Sequence, residues 1–162
     1  MRSVAVIPAR MASSRFPGKP MALIHGIPMI GHCFYRVSMC PELDATYVAT
    51  CDREIYDYVE SIGGSAIMTS SRHERACDRA AEAMLTVEEN TGRRIDILVM
   101  VQGDEPMIVP EMIDLSVAPF EDDPDVVCVN LAARIESEVE LEDPNTIKVA
   151  ISRHGDALYF SR

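Results

Sequence analysis

No aspartate or glutamate occurs in the first 41 residues, although the chain as a whole carries a net charge of -11. Lysine is scarce too, with Lys19 and Lys148 the two present in 162 residues. The cysteines, Cys33, Cys40, Cys51, Cys77 and Cys128, include no Cys-x-x-Cys pair. An odd count at wide spacing argues against a disulfide framework or a structural zinc site, and for small buried side chains in a reducing compartment. No apolar run approaches the ~20 residues of a membrane span, and the run at residues 3–7 is too short for a signal peptide. A cytoplasmic protein without a membrane partner is therefore expected. The acidic balance also argues against general nucleic-acid binding, because a polyphosphate backbone repels such a surface. No repeat, low-complexity tract or linker interrupts the chain, so a single domain over residues 1–162 is the expectation.

The acid-free segment holds five cations, Arg2, Arg10, Arg15, Lys19 and Arg36, unopposed in sequence, whereas the rest of the chain has 26 acids. Its core is Pro8-Ala9-Arg10-Met11-Ala12-Ser13-Ser14-Arg15-Phe16-Pro17-Gly18-Lys19. Arginine forks and a lysine point charge suit phosphate oxygens, and backbone amides near small residues can approach a phosphate closely. The segment is not a Walker A loop: it lacks the first glycine and has Pro20 after Lys19. A solvated basic loop is the plainer reading. The position straight after a buried strand, with no carboxylate nearby, favours a small phosphorylated ligand, a triphosphate above all.

Short apolar runs alternate with amphipathic stretches. Strands are expected at residues 3–7, 45–50, 65–68, 95–101 and 125–131. Helices are expected from Pro28 through Val37, at 52–62 closed by Gly63-Gly64, at 76–89 and at 110–117. Residues 146–152 and 157–161 read as a hairpin around 153–156. The run at 95–101 is apolar enough for a sheet centre. Strand–helix alternation implies an α/β fold with a mostly parallel central sheet flanked by helices and a C-terminal β-hairpin. Ligands in such folds bind beyond the carboxyl ends of the strands.

Two further segments carry chemistry. Gln102-Gly103-Asp104-Glu105-Pro106 follows the 95–101 run. Asp104 there could hold Mg²⁺ against a phosphate, Gly103 allows close backbone approach, and Gln102 can both donate and accept. A simple turn is the alternative. Residues 70–79 bring Arg72, His73, Arg75 and Arg79 to a helix start, which favours anions; a capped helix with exposed arginines explains them equally well. His25, His32 and His154 lack partners at ligand spacing. Cys77 and the ten methionines are expected to pack in the core.

Taken together, these segments resemble the cytidylyltransferases that activate acidic sugars, the 3-deoxy-manno-octulosonate group above all. Residues 7–20 are similar to that family's IPAR-x-x-S-x-R-x-PGKP. Pro28–Ile30, Val48-Ala49-Thr50-Cys51-Asp52 (with one inserted cysteine), Gly63-Gly64, Met68-Thr69-Ser70, Val101–Pro106, Pro144-Asn145, Lys148-Val149 and residues 157–162 match further family segments in order. The resemblance implies a Rossmann-like nucleotide-diphospho-sugar transferase fold. It also implies CTP and an acidic sugar as substrates, Mg²⁺ as cofactor, a homodimer, and a place in lipopolysaccharide biosynthesis. By carry-over, Arg10, Ser13, Arg15 and Lys19 hold the triphosphate and Gln102 lies near the cytosine. Asp104 binds the metal, Arg79 lies near the nucleotide, and Arg162 lies on the sugar-acid side. In one departure, Arg75, Ala76 and Cys77 stand where the family has Ser, Gly and Thr. In another, family members continue beyond the position of Arg162, and neither Glu105 nor Asp78 matches their second metal carboxylate. A non-catalytic CTP-binding homologue, or an enzyme for another ulosonic acid or a phosphonate, stays open as an alternative.

Overall fold

The computed structural model describes residues 1–12 and 16–162, which form two compact units, Met1–Val129 and Asn130–Arg162. In the first unit the chain runs β1 (Ser3–Ala9), a 3-10 turn (Lys19–Met21), β2 (Leu23–Ile24), β3 (Ile27–Pro28) and α1 (Met29–Val37). It continues through β4 (Ala45–Thr50), α2 (Arg53–Ser61), β5 (Ser65–Met68), α3 (Ala76–Thr91), β6 (Ile97–Met100), α4 (Pro110–Val117) and α5 (Pro119–Asp122). The second unit holds α6 (Glu138–Glu142), β7 (Lys148–Ile151) and β8 (Ala157–Ser161).

A four-stranded parallel sheet with order β5-β4-β1-β6 organises the first unit. All seven residues of β1 are buried, which requires cover on both faces. Side chains alternate across a strand. Ala5, Ile7 and Ala9 accordingly pack with Ile30, Cys33 and Val37 of α1, Ile55 and Val59 of α2, and Ile113 and Val117 of α4. Val4 and Val6 face the other way, onto Ala80, Ala83 and Val87 of α3 and onto Ile95. The apolar stripes expected for these helices are thus the faces that meet the sheet.

Helix ends follow their residue types. After α2, Gly63 adopts φ +77°, and the Gly64 amide donates back to the Val59 carbonyl at 2.9 Å. Gly92 closes α3 at φ +64°, a left-handed conformation that a side chain disfavours. In the second unit, the Glu140 amide donates to Ser137 Oγ at 3.2 Å and caps α6. There β7 and β8 pair antiparallel around the expected turn, with Gly155 at φ +95°.

Four expectations need correction. Residues 125–131 form no strand: Val127 is 92% exposed, and no described strand lies beside the segment to complete its hydrogen bonds. The apolar 95–101 run forms β6, at the edge of the described sheet, while β1 is interior. Accordingly Ile97 is buried, Leu98 and Val99 are half-buried and Met100 is exposed. The methionines are not a core set: Met29 is buried, but Met1, Met39, Met68, Met100, Met107 and Met112 are exposed. Among the cysteines, Cys33 and Cys40 are buried and Cys51 is half-buried, but Cys77 and Cys128 are exposed because the first turn of α3 and the 125–131 segment leave them uncovered. Burial pushes the Cys33 and Cys40 thiols up to about 11, so neither serves as a nucleophile.

Truncating Ile7, fully buried in β1, opens a cavity in the cluster that joins β1 to α1, α2 and α4. Ile7→Ala is expected to cost ~2–5 kcal/mol, read as a lower urea midpoint at unchanged slope.

Candidate functional site

The chain moves outward from β1 to β4 and β5, then returns to place β6 on the other side of β1. The order therefore reverses between β1 and β6, and an open α/β sheet forms its ligand crevice at that reversal. A cleft of about 640 Å³ opens there. It is lined from the end of β1 by Pro8, Ala9 and Arg10, and from the segment after β6 by Gln102, Gly103 and Asp104. Gly103 is buried, and a Cβ on it would lie 2.8 Å from the Pro8 carbonyl oxygen. The two strand ends can come this close because that position has no side chain. The turn alternative for this segment also holds, since the Glu105 amide donates to the Gln102 carbonyl at 3.2 Å.

The basic loop is fastened at its base. The Met11 amide donates to Asp52 Oδ2 at 2.8 Å, and the Gly18 amide donates to the Met11 carbonyl at 3.0 Å. Gly18 at φ +72° turns the chain into the 3-10 turn that begins at Lys19. Lys19 Nζ then meets Asp104 Oδ2 at 2.6 Å across the cleft. The cations that the sequence leaves unopposed are therefore not equivalent in space. Arg2 donates to the Arg93 carbonyl at 2.6 Å and Arg36 donates to the Ile108 carbonyl, which makes both structural. Lys19 has a carboxylate partner. Arg10 is exposed on the cleft wall and makes no ion pair among the described residues.

The third wall comes from the segment between β5 and α3, with His73, Glu74, Arg75, Ala76 and Arg79. Arg79 is 3% exposed, yet no carboxylate among the described residues pairs with it. Its guanidinium donates to Thr69 Oγ1 and reaches Cys51 Sγ at 3.5 Å. Its hydrogen-bond partners are neutral, and the Glu82 carboxyl feels its charge without forming an ion pair, so much of that charge is left for an anion in the cleft. Glu82 of α3 accepts from the Ser70 amide at 2.9 Å and bonds to His73 Nε2. The Ser70 amide, followed by the His73 hydrogen bond, holds the Glu82 carboxyl below the usual glutamate range.

Arg10, Lys19, Arg79, Gln102 and Asp104, all singled out from sequence, thus line one cleft. Ser13 and Arg15 lie outside the described residues. Arg162 belongs to the second unit, where it is exposed. Sequence reasoning missed the Asp52 anchor and the Glu82 contacts. Asp52 carries no signal of its own because its partner is a backbone amide 41 residues away. The chemistry available is that of holding a polyanion: clustered cations, a buried arginine, the Asp104 and Glu74 carboxylates and a two-way amide.

The family model described as "Cytidylyltransferase" matches residues 4–162. The chain belongs to the cytidylyltransferase family. It is 45% identical over 162 residues to the 3-deoxy-manno-octulosonate cytidylyltransferase of Pelobacter propionicus, and 43% identical to that of Geobacter metallireducens. Each match covers 100% of this chain and 61% of the relative, so the chain spans about three-fifths of the length of these cytidylyltransferases. A solved structure of CMP:2-keto-3-deoxy-manno-octonic acid synthetase complexed with CTP is similar at TM-score 0.87 and 38% identity, covering 99% of this chain and 64% of that one. The nucleotidyltransferase fold expected from the motifs is thereby shown.

Two outcomes follow from this geometry. Gly103→Ala forces the ends of β1 and β6 apart and is expected to cost ~1–3 kcal/mol, measured by chemical denaturation. The Glu82 carboxyl, lowered in the folded state, stabilises the fold above the ordinary carboxylate range and loses that contribution as pH falls through its native value. Glu82→Gln is expected to flatten the fall in melting temperature between about pH 5 and 3; an unchanged acid limb would show that Glu82 plays no part in it.

Proposed function

We propose that this protein transfers CMP from CTP to an acidic sugar, 3-deoxy-manno-octulosonate, and releases pyrophosphate. What carries the reading is one cleft, at the strand-order reversal, that joins Arg10, Lys19 and the buried Arg79 to Gln102 and the Asp104 carboxylate. The sugar hydroxyl oxygen forms a bond to the α-phosphorus. The bond from that phosphorus to the bridging oxygen breaks, the electron pair leaves with pyrophosphate, and the hydroxyl proton is released to solvent. Arg10 and Lys19 hold the triphosphate, together with Ser13 and Arg15 of the same loop. Arg79 offsets phosphate charge from the third wall, and Gln102 reads the edge of the cytosine. Arg162 serves the carboxylate side of the sugar. Catalysis is then positioning and charge neutralisation.

The donor set fits Mg²⁺ of the substrate-sharing kind. Among the described residues no group of three or more His, Cys, Asp or Glu side chains could form an all-protein cage. Asp104, which faces Lys19 and the basic loop, offers a hard oxygen in the cleft, with Glu74 the other carboxylate on its wall, and Mg²⁺ is commonly held by one or two carboxylates with substrate phosphates. Bound there, Mg²⁺ would neutralise phosphate charge. Lys19 now occupies Asp104 Oδ2 at 2.6 Å; a triphosphate gives Lys19 a new partner and frees Asp104 for the metal.

Arg75 on the cleft wall supports a second reading within the class, in which the acceptor is another ulosonic acid or a phosphonate. Residues 1–162 would serve this reaction as one nucleotidyltransferase domain, in the cytoplasm and without nucleic acid. No described helix is long and apolar enough to cross a membrane. Exposed Ile151, Leu158 and Phe160 of the β7–β8 hairpin support a homodimer.

Pyrophosphate release from CTP and Mg²⁺ with a panel of acidic sugars tests the proposal. Lys19→Met and Asp104→Asn are each expected to lower kcat/KM by roughly 10²–10³-fold. The absence of release with every acid tried sinks the transferase reading; calorimetric binding of CTP without turnover would leave a CTP-binding homologue.

A further inference from the structure

Glu82 lies well inside α3, outside every motif that marks the cleft, yet its carboxylate reaches back to the turn before the helix. Oε2 and Oε1 accept from the Ser70 amide at 2.9 and 3.2 Å, and Oε2 also bonds to His73 Nε2. Ser70 Oγ accepts from the Arg72 amide at 3.2 Å, which closes the turn locally. Arg79, three residues before Glu82 and so on the same helix face, fastens Thr69. One face of α3 therefore grips both ends of the turn that carries His73 to the cleft wall.

The chemistry of the pair is directional. The Ser70 amide and the His73 ring favour the ionised form of Glu82, and an ionised carboxylate can only accept. His73 Nε2 must then carry the hydrogen. In a neutral ring this leaves Nδ1 as an acceptor, and Nδ1 makes no hydrogen bond among the described residues. The cleft is rich in donors: Arg10, Arg75, Arg79 and Lys19 accept nothing, against the few side-chain acceptors Glu74, Gln102 and Asp104, whose Oδ2 is engaged by Lys19. A nucleotide or a sugar brings amino and hydroxyl groups as well as phosphates, and those groups need acceptors.

We propose that Glu82 is a positioning residue that fixes His73 as its Nε2–H tautomer, and that His73 Nδ1 accepts a hydrogen bond from an amino or hydroxyl group of the ligand in this cleft. The inference rests on the nucleotide-and-sugar reading of the cleft. It differs from a surface ion pair that merely stabilises the helix, because it demands a tautomer and a ligand effect that vanishes when His73 is gone.

The test combines a measurement without ligand and one with it. Long-range ¹H–¹⁵N correlation spectra of the full chain, at a pH where the ring is neutral, are expected to show His73 as the Nε2–H tautomer alone, and as a mixture in Glu82→Gln. Calorimetry with CTP and Mg²⁺, and KM for the acid in the pyrophosphate assay, are then compared for His73→Phe, Glu82→Gln and the double variant. Each single change is expected to weaken one of the two ligands by roughly fivefold to tenfold, with the double variant no worse than His73→Phe. A rise in the CTP dissociation constant assigns the contact to the nucleotide, and a rise in KM alone assigns it to the acid. Mixed tautomers in the unaltered protein overturn the Glu82 assignment. His73→Phe without effect on either ligand, or a full additional loss in the double variant, overturns the coupling. A wild-type chain that binds neither ligand removes the functional reading and the ligand contact together, while the tautomer spectrum still decides what Glu82 does.

Discussion

The contact on which the rest of the molecule depends is the close approach of two backbones, at Pro8 and Gly103. β1 is buried on both faces, so its direction and height are set by the helices above and below it. β6 pairs with it in parallel register, Ser3 beside Ile97 and Val6 beside Met100. Beyond the last pair the two chains splay into loops that carry the cleft residues. A Cβ at position 103 would stand 2.8 Å from the Pro8 carbonyl. Lys19 and Asp104 face each other across the cleft because these two loops leave the sheet at nearly the same level.

Around that contact the site is assembled by polar anchors from outside it. Asp52, at the end of β4, holds the Met11 amide and so the root of the basic loop. Glu82 and Arg79, from one face of α3, hold the turn that forms the third wall. Each anchor is a charged side chain bonded to a backbone amide or a short polar side chain. Such hydrogen bonds are directional and stronger than neutral ones, which suits a cleft whose walls are otherwise loops.

Charge is arranged more finely than the composition suggests. An acid-free opening segment in an acidic chain marks a place for an anion, but its five cations divide into kinds. Arg2 and Arg36 tie loops down through carbonyls. Lys19 is held by Asp104, and Arg10 stays open to the cleft. Arg79, from a different part of the chain, is buried and makes no ion pair with a carboxylate among the described residues. A further cation for the cleft therefore comes from a helix 60 residues beyond Lys19.

Much of the fold was legible because it rests on local pattern. The strands at 45–50 and 65–68, the helix at 110–117, and the Gly63 helix end follow from periodicity and from glycine's tolerance of positive φ, whereas α3 runs past the expected 89 to Thr91 before Gly92 ends it. That Arg10, Lys19, Arg79, Gln102 and Asp104 line one cleft agrees with the short, chemically specific motifs that single them out. Other features depend on partners distant in sequence. The 125–131 run has strand-like composition, but a strand also needs a neighbour. β6 is apolar enough for the sheet interior yet lies at its described edge, since strand order is set by the crossover connections. The Lys19–Asp104 pair spans 85 residues, and no spacing rule joins them. The sequence by itself determined which residues could hold a nucleotide, through residue chemistry and local geometry. The tertiary structure decided which of them share a cleft, which are already neutralised, and which distant carboxylates hold the walls in place.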